Sequence, residues 1–282
     1  MIEKINDLIT ICIVNYNSSD FIINTLYCLK KLTKNQYKVI IRDNNSDKAD
    51  FLYLKKEIKN FPNVELYRIE NFKEIGSIAH GIAINDLINK INTKYGVILD
   101  ADCTFLIKNW DEYLINQINE EYPIIGTQAV PGYYSKRASD FPLAFAVLFR
   151  TDILKKLNID FMCKNPSEGL DTGYQLREKY LAQGYLGKIL IGKNTREYKK
   201  GPFSNIICEG YYLDGFDNIF ASHFGRGSTL GKAKYIIKKS EDGKIKKKKL
   251  LYTFPLIGNY FLTSKGKKEK KDWIKICKSL IN

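Results

Sequence analysis

The chain has 282 residues, of which 44% are hydrophobic and 27% charged, and its formal net charge is +14. This length accommodates one or two domains, and the composition is ordinary for a globular protein, which excludes a wholly disordered chain, a collagen and a coiled coil. Six cysteines are too few for a disulfide scaffold, and without a C-x-x-C pair they argue against a zinc or redox site.

The N-terminal part of the chain alternates between strand and helix patterns. The continuous apolar run over residues 8–14 predicts a strand buried on both faces, which is typical of parallel sheets. Further strands are predicted over 37–41, 64–67 and 95–99, and helices over 20–33, 49–59 and 77–91. This alternation predicts an α/β fold with a doubly wound, mainly parallel sheet.

Polar side chains follow three of the four predicted strands at the points where the strands end. Asn15 follows the first strand, Asp43 the second, and Asp100 and Asp102 the fourth. Ligands of doubly wound sheets bind at the carboxyl ends of the strands, so these residues predict a nucleotide site there. The glycine-rich fingerprints of dinucleotide-binding and P-loop proteins are absent, which excludes those two classes of site.

The segment Asp100-Ala101-Asp102, directly after a buried strand, is the sharpest local feature. Two carboxylates separated by one small residue can share a divalent cation. Hard cations such as Mg²⁺ and Mn²⁺ take oxygen ligands and keep open positions for water and substrate phosphates. The segment therefore predicts a metal site that faces a phosphorylated ligand.

The second half of the chain has a less regular pattern. It predicts a strand over 141–149, a helix from 152 to 157 and a helix over 171–183, with Gly184 as its C-cap. Near the C-terminus, residues 271–281 place Trp273, Ile276, Cys277 and Leu280 on one helical stripe.

Six motifs, in order along the chain, resemble those of the family 2 glycosyltransferases, which have the GT-A fold. They are residues 14–17 (VNYN), 41–47 (IRDNNSD), 76–81 (GSIAHG), 100–102 (DAD), 170–177 (LDTGYQLR) with Gly184-Tyr185, and 223–228 (HFGRGS). The last is similar to a motif of rhamnosyltransferase-like bacterial members. The resemblance implies a GT-A catalytic domain over residues 1–230, with a Lys-rich C-terminal extension over 231–282.

The resemblance also implies roles for the residues within these motifs. Asp43 would hydrogen-bond the nucleotide base, uracil or thymine, and Asp171 would be the general base. Asp102, with Asp100 and His223, would hold Mn²⁺ or Mg²⁺ at the donor diphosphate. The nucleotide-sugar site as a whole would comprise Asn15, Tyr16, Asn17, Asp43, Asn45, Gly76, His80, Asp100 and Ala101.

The sequence departs from the family pattern around the expected base. Leu170 stands where the family has Glu, and Gly173 stands where it has a second Asp. Glu168 is therefore a rival of Asp171 for the role of base. Asn15 has an alternative role as a cap of the first helix.

The expected activity is metal-dependent, inverting transfer of a sugar from a nucleotide-diphospho-sugar, with UDP or dTDP as the nucleotide. The acceptor would be a cell-surface glycan or a lipid-linked saccharide. Alternatives are a sugar nucleotidyltransferase and a non-catalytic protein that binds sugar nucleotides. The first normally carries a glycine-rich loop after the first strand, where this chain has Asn15 to Ser19.

The C-terminal extension carries most of the charge. Residues 232–282 contain 16 lysines and 4 acidic residues, a net charge of +12, whereas the first 231 residues carry +2. Lysines flank the apolar run over 250–262, which predicts contact with an anionic membrane surface. The alternative is that the extension packs on the body of the protein through the helical stripe over 271–281. The extension has no arginine, which argues against nucleic acid. Without a signal peptide or spanning segment, the expected location is cytoplasmic, peripheral on the inner face of the cell membrane.

Overall fold

The computed structural model of the chain describes residues 8–130, 137–165, 168–213, 218–230, 232–236, 238–239, 245–246 and 255–282. Twelve strands lie in these parts of the chain. They are β1 (Ile9–Asn15), β2 (Tyr37–Asp43), β3 (Val64–Arg68), β4 (Tyr95–Leu99), β5 (Cys103–Phe105), β6 (Ile124–Thr127), β7 (Leu143–Arg150), β8 (Gly187–Asn194), β9 (Glu209–Tyr212), β10 (Ala221–His223), β11 (Lys238–Lys239) and β12 (Ile245–Lys246).

Eight α-helices accompany these strands in the described residues. They are α1 (Ser19–Leu32), α2 (Lys48–Glu57), α3 (Gly76–Asn89), α4 (Trp110–Gln117), α5 (Thr151–Lys156), α6 (Gln175–Ala182), α7 (Lys232–Ile236) and α8 (Pro255–Leu280). Helices follow β1, β2 and β3, as the alternating pattern predicts. The α/β fold inferred from the sequence is confirmed.

Ten strands form one mixed sheet in the order β3-β2-β1-β4-β7-β6-β8-β9-β10-β5, and β11 pairs with β12 alone. In the first part of this sheet, β1 lies parallel to β2 and β4, and β2 lies parallel to β3. The register pairs Asn15 with Asp43 at the ends of β1 and β2. The carboxyl ends of these parallel strands therefore meet at one edge, where ligands of such sheets bind.

Antiparallel pairing builds the rest of the sheet. β7 runs antiparallel to both β4 and β6, and β10 runs antiparallel to both β9 and β5. The register of β10 pairs His223 with Cys103 of β5 on one side and with Glu209 of β9 on the other. His223, late in the chain, is thereby placed beside the segment that follows β4.

Helices cover both faces of the sheet and bury two hydrophobic clusters. One cluster unites buried residues of α1, Leu54 of α2, and Trp273 and Cys277 of α8. The other unites buried residues of α3, α5 and α6, among them Leu87 and Leu154. The layering is that of an α/β sheet with helices on both sides.

The last helix shares the main core. Its Trp273 is fully buried, with the ring centroid 5.6 Å from that of Phe21 in α1, and its Nε1 donates a hydrogen bond to Ser222 Oγ at 2.9 Å. The sequence predicted a helix only over 271–281, whereas α8 begins at Pro255. None of the described helices has the length and apolar character needed to cross a bilayer.

Two sequence predictions need comment in the C-terminal half. The helix predicted over 171–183 begins only at Gln175, because Gly173 adopts the left-handed conformation (φ +73°), which a right-handed helix cannot contain. Of the apolar run over 250–262, residues 250–254 lie outside the described residues, as do most of the lysines in 244–249.

Candidate functional site

A cleft of about 620 Å³ lies at the carboxyl ends of β1 and β4. Eight of the residues predicted for the site contribute to its lining: Tyr16, Gly76, His80, Asp100, Ala101, Asp102, Asp171 and His223. These come from the loop after β1, from α3, from the turn after β4, from the segment before α6 and from β10. The cleft thus gathers most of the sequence motifs around one volume.

Asp100, Asp102 and His223 form the polar centre of the cleft. His223 Nε2 lies 3.3 Å from Asp102 Oδ1 and 3.7 Å from Asp100 Oδ2. One ligand atom from each of the three residues falls within 4.8 Å of the others. The pairing of β10 with β5 produces this proximity, because it sets His223 beside the strand that Asp102 immediately precedes.

The electrostatics of this centre follow from burial and mutual proximity. Burial by itself lowers the pKa of His223. The carboxylates of Asp102 and Glu209 have the larger, opposite effect, so the pKa is raised overall to about 10. Burial raises the pKa of Asp100 to about 6, although His80 and His223 oppose this change. Burial also raises the pKa of Asp102, but His223 and the Gly227 amide lower it by more. The proximity of the carboxylates therefore favours the protonated form of His223.

The donor set fits a hard or borderline divalent cation. Two carboxylates and one imidazole nitrogen suit Mg²⁺, Mn²⁺ and related ions. Asp100 Oδ1 is buried and has no hydrogen-bond partner among the described residues, so an acceptor there is still unsatisfied. On the far side of the imidazole, His223 Nδ1 lies 3.5 Å from Glu209 Oε2. Metal-binding histidines are commonly oriented by such a carboxylate.

Glu209 itself is a residue that the sequence motifs did not reveal. It is buried, and its Oε2 accepts a hydrogen bond of 2.7 Å from the Tyr211 hydroxyl. Its position opposite His223 depends on the β9–β10 register, for which the sequence carries no local signal.

His80 lies at the edge of the same centre. Its Nε2 is 3.5 Å from Asp100 Oδ1, and its side chain is 28% exposed on α3. The loop that leads into α3 contributes Gly76, at φ +59°, with open space where a side chain would stand. This wall of the cleft therefore leaves room for a ligand beside Asp100.

Asp171 lines the same cleft as the metal-binding candidates. Its Oδ1 accepts a hydrogen bond of 2.8 Å from the Thr172 amide, and its Oδ2 pairs with the guanidinium group of Arg137. The rival base, Glu168, is exposed and is not among the residues that line the cleft. Of the two carboxylates, only Asp171 faces the volume that a substrate would fill.

Arg137 lines the cleft and was not among the residues predicted for the site. Its guanidinium carbon lies 5.6 Å from the centroid of the Phe145 ring, and that ring lies 4.8 Å from the imidazole of His223. Arg137 belongs to no motif, and its contact with Asp171 spans 34 positions. A lone arginine in an irregular segment offers no sequence signal for such a role.

The remaining predicted residues lie behind the cleft, in a network that joins the loops after β1 and β2. Asp43 is fully buried; its Oδ2 accepts from Asn15 Nδ2 at 2.8 Å, and its Oδ1 accepts from the Ser46 amide at 3.1 Å. Asn15 Oδ1 also accepts from the Ser18 amide at 3.1 Å. The N-cap residue of α1 is Ser18, so Asn15 is not the cap of this helix; its side chain orders the turn before it.

Asn17 and Asn45 shape the same two loops. Both adopt the left-handed conformation, with φ of 51° and 61°. Asn17 Oδ1 accepts from the Asp47 amide at 2.8 Å, and Asn45 Oδ1 accepts from Arg68 Nη2 at 2.6 Å. Asn15, Asn17, Asp43 and Asn45 are not among the described residues that line the cleft, so their contact with a nucleotide stays a prediction.

Comparison with known proteins gives both a family and structural neighbours. The model of the family described as Glycosyl transferase family 2 matches residues 10–176. The mannosyltransferase PcManGT from Pyrobaculum calidifontis, in complex with GDP-Man and Mn²⁺, is 14% identical, with a TM-score of 0.51 over 67% of this chain and 56% of that one. TarS 1-349 from S. aureus, in complex with UDP-GlcNAc, is 15% identical, with a TM-score of 0.48 over 64% and 55%.

These structural similarities extend over part of each protein. The chain spans little more than half the length of the structures it matches. At such identities the similarity to PcManGT shows a shared fold. No curated protein matches the sequence.

Proposed function

The chain belongs to glycosyl transferase family 2, and from this premise we propose that it transfers a sugar from a nucleotide-diphospho-sugar to an acceptor hydroxyl, with inversion at the anomeric carbon. The observation that carries the proposal is the cleft whose lining contains both the Asp100, Asp102 and His223 cluster and the carboxylate of Asp171. A charged leaving group and an attacking hydroxyl need these two kinds of residue in one volume.

We assign the donor diphosphate to the side of the cleft formed by Asp100, Asp102 and His223. These residues would hold Mn²⁺ or Mg²⁺, which when bound neutralises charge on the leaving diphosphate. The complex of PcManGT contains Mn²⁺, which agrees with this assignment for a protein of the same fold. Gly227 donates its amide to Asp102 Oδ2 at 2.7 Å and thereby orients that carboxylate.

We assign the role of general base to Asp171. Its carboxylate would accept the proton of the acceptor hydroxyl while that oxygen bonds to the anomeric carbon and the bond to the diphosphate oxygen breaks. Hydrogen bonds from Ser77 and the Thr172 amide, together with the charge of Arg137, overcome the effect of burial and lower the pKa of Asp171. The base is therefore ionised at neutral pH. A single displacement from the side opposite the leaving group inverts the anomeric configuration.

The finer assignments extend this proposal. The donor carries a hexose or deoxyhexose on UDP or dTDP, with Asp43 next to the base, and the acceptor is a cell-surface glycan or a lipid-linked saccharide. The neighbours bind GDP-Man and UDP-GlcNAc, so nucleotide sugars are ligands of this fold. We place the enzyme in the cytoplasm, peripheral on the inner face of the membrane. We also propose that residues 1–230 form a catalytic domain and that residues 231–282 form a basic extension.

A panel of nucleotide sugars tests the function directly. The expected result is a rise in melting temperature with one donor, larger with Mn²⁺ than with chelator, because ligands that bind only the native state stabilise it. Incubation with that donor and candidate acceptors should release the nucleoside diphosphate. Release of pyrophosphate when the protein is incubated with a nucleoside triphosphate and a sugar phosphate would instead identify a nucleotidyltransferase. Binding without turnover of any donor would identify a non-catalytic protein.

A further inference from the structure

Helix α8 has two faces of opposite character. The inner face follows helical spacing through Leu262, Gly266, Glu269, Trp273 and Cys277, all of them buried. A side chain at Gly266 would lie 2.4 Å from the Leu230 carbonyl oxygen, so the helix touches the backbone of the preceding segment. The helix is therefore fixed against the body of the protein along one side, and its other side is left to solvent.

The outer face of α8 is a stripe of lysines. Its exposed members are Lys267, Lys268, Lys271, Lys275 and Lys278. The two acidic residues of this helix lie elsewhere, with Glu269 on the buried face and Asp272 half-buried. Beside the stripe, the groove between α1 and α8 has a volume of about 530 Å³, and five lysines contribute to its lining together with Asp20 and Ile274. The charges of this face are thus almost entirely positive.

Two aromatic side chains stand at the N-terminal end of the stripe. Tyr260 is 72% exposed and Phe261 is 46% exposed, and their ring centroids lie 5.9 Å apart. At the other end of the helix, Lys278 Nζ lies 5.7 Å from the ring centroid of the exposed Tyr27 in α1. Exposed aromatics next to lysines are the side chains that proteins place at the headgroup level of a bilayer.

We propose that the outer face of α8 binds the surface of an anionic lipid bilayer, with its lysines on lipid phosphates and with Tyr260 and Phe261 among the headgroups. The stripe from Tyr260 to Lys278 is about 27 Å long at 1.5 Å per residue, and it lies on one continuous helix. A flat anionic surface can contact all of it at once. This inference gives the proposed membrane location a defined contact surface.

A bilayer fits this face better than a nucleic acid does. Helix α8 contains no arginine, the residue most used to contact bases and to form bidentate phosphate contacts. The aromatic pair lies at one end of the stripe, not interleaved with the lysines as single-strand binding requires. Both features suit a surface that offers diffuse negative charge above an apolar layer.

The position of α8 gives such binding a consequence for the cleft. Trp273 donates its hydrogen bond to Ser222, the residue immediately before His223. Leu230, which touches Gly266, directly follows the segment from Gly225 to Thr229 that lines the cleft. One wall of the cleft is therefore attached to the buried face of the helix whose outer face we assign to the membrane.

Flotation of the full chain with lipid vesicles tests the lysine stripe. We expect binding to vesicles of phosphatidylcholine with phosphatidylglycerol, little binding to phosphatidylcholine alone, and release at high salt because screening shortens the range of the charges. The triple variant Lys267→Gln, Lys271→Gln, Lys275→Gln should lower the partition coefficient roughly fivefold per lysine, or about two orders of magnitude in total.

A matched variant controls for net charge. Lys90, Lys94 and Lys156 are exposed lysines outside α8, and the first and last of them belong to the helical layer on the opposite face of the sheet. The control variant combines Lys90→Gln, Lys94→Gln and Lys156→Gln and removes the same charge. Its partition coefficient on anionic vesicles should stay within about twofold of that of the wild type. Equal losses in the two triple variants, or no binding of the wild type to anionic vesicles, would overturn the proposal. So would tighter binding to an oligonucleotide than to the vesicles.

Fluorescence tests the aromatic end separately. The two natural tryptophans, Trp110 and Trp273, are fully buried, so a tryptophan introduced by Tyr260→Trp reports on its own surroundings. We expect brominated lipids in anionic vesicles to quench this added emission and to leave the emission of the wild type nearly unchanged. If the protein still floats with the vesicles but the added emission is not quenched, Tyr260 and Phe261 are not part of the contact surface.

Membrane binding and glycosyl transfer can fail independently in these experiments. The triple variant of α8 alters no residue of the cleft, so its melting-temperature response to the sugar nucleotide should equal that of the wild type. Loss of both vesicle binding and this response would indicate misfolding; Lys268→Gln with Lys278→Gln then repeats the test at the other two positions of the stripe.

Discussion

The guanidinium group of Arg137 pairs with the carboxylate of Asp171 inside the cleft, although 34 positions separate the two residues in the chain. Both side chains are largely withdrawn from solvent, at 12% and 25% exposure. The charge of Arg137 helps to lower the pKa of Asp171 against the effect of burial. Arg137 also contributes to the electrostatics of Asp100, which lines the same cleft.

Substitution of Arg137 should shift the pH dependence of the reaction. Burial raises the pKa of Asp171, whereas Ser77 and Arg137 lower it. Arg137→Gln should therefore raise this pKa, and the acid limb of the kcat profile should move to higher pH because a base acts only when ionised. Arg150→Gln, which loses a surface arginine paired with Glu120 and Asp152, is the control and should leave the limb in place. If the acid limb of the kcat profile does not move in Arg137→Gln, the ion pair does not set the pKa of the catalytic base.

Asp171 and Glu168 can be separated by their amide variants. Asp171→Asn should bind the donor normally and lower turnover by roughly 10²- to 10⁴-fold, the usual scale for loss of a general base. Glu168→Gln should retain turnover, since Glu168 is exposed and outside the cleft lining. Steady-state kinetics together with donor titrations measure both effects. The reverse pattern would assign the base to Glu168.

Asp102 should control metal-dependent binding of the donor. Asp102→Asn removes one carboxylate of the Asp100, Asp102 and His223 set but can still accept the Gly227 amide, so the fold should persist. Calorimetry should show that Mn²⁺ no longer strengthens nucleotide binding in this variant. Glu120→Gln, at a side chain that is 89% exposed, provides the control. Metal-dependent affinity equal to that of the wild type would exclude Asp102 as a ligand.

His223 should make the stability of the metal-free protein depend on pH. Its folded pKa, about 10, lies above the ordinary value of 6.5, so the folded state holds a proton that the unfolded chain releases between these values. The stabilisation is complete below pH 6.5 and is lost as the pH rises towards 10. From pH 7 to pH 9 the free energy of unfolding of the wild type should fall by roughly 1–3 kcal/mol more than that of His223→Gln.

Chemical denaturation in chelator measures this difference. Comparison with the variant cancels other titrations, including that of Lys234, whose pKa burial lowers to about 8. Parallel stability curves for the two proteins would mean that His223 is neutral in the folded state.

Trp273 should be essential to the folded body. Its indole is fully buried between Phe21 and Phe224, so Trp273→Ala should lower the free energy of unfolding by about 3–5 kcal/mol. Tyr260→Ala, on the exposed face of the same helix, should change it by less than about 0.5 kcal/mol. Urea denaturation followed by circular dichroism gives both values. A small effect of Trp273→Ala on the free energy of unfolding would indicate that α8 does not unfold cooperatively with the rest of the protein.

Local sequence patterns suffice to predict the parallel part of the fold and the positions of its motifs. Apolar runs of strand length, such as residues 8–14, alternate with helical periodicity, and both are properties of neighbouring residues. The place of Asp100 and Asp102 after β4 follows from the same local pattern. Because parallel strands share one carboxyl edge, their location in a cleft could also be expected before any contact was known.

The distant groups that complete the site follow from the tertiary structure alone. Glu209 reaches His223 through the register of β9 and β10, and Arg137 forms its ion pair with Asp171 although 34 positions separate them. The pKa of each group then depends on burial and on charges from other segments, which no local pattern contains. The two faces of α8 were likewise decided by packing: lysine periodicity alone cannot tell which side meets the core until Trp273 and Cys277 are seen to fill it.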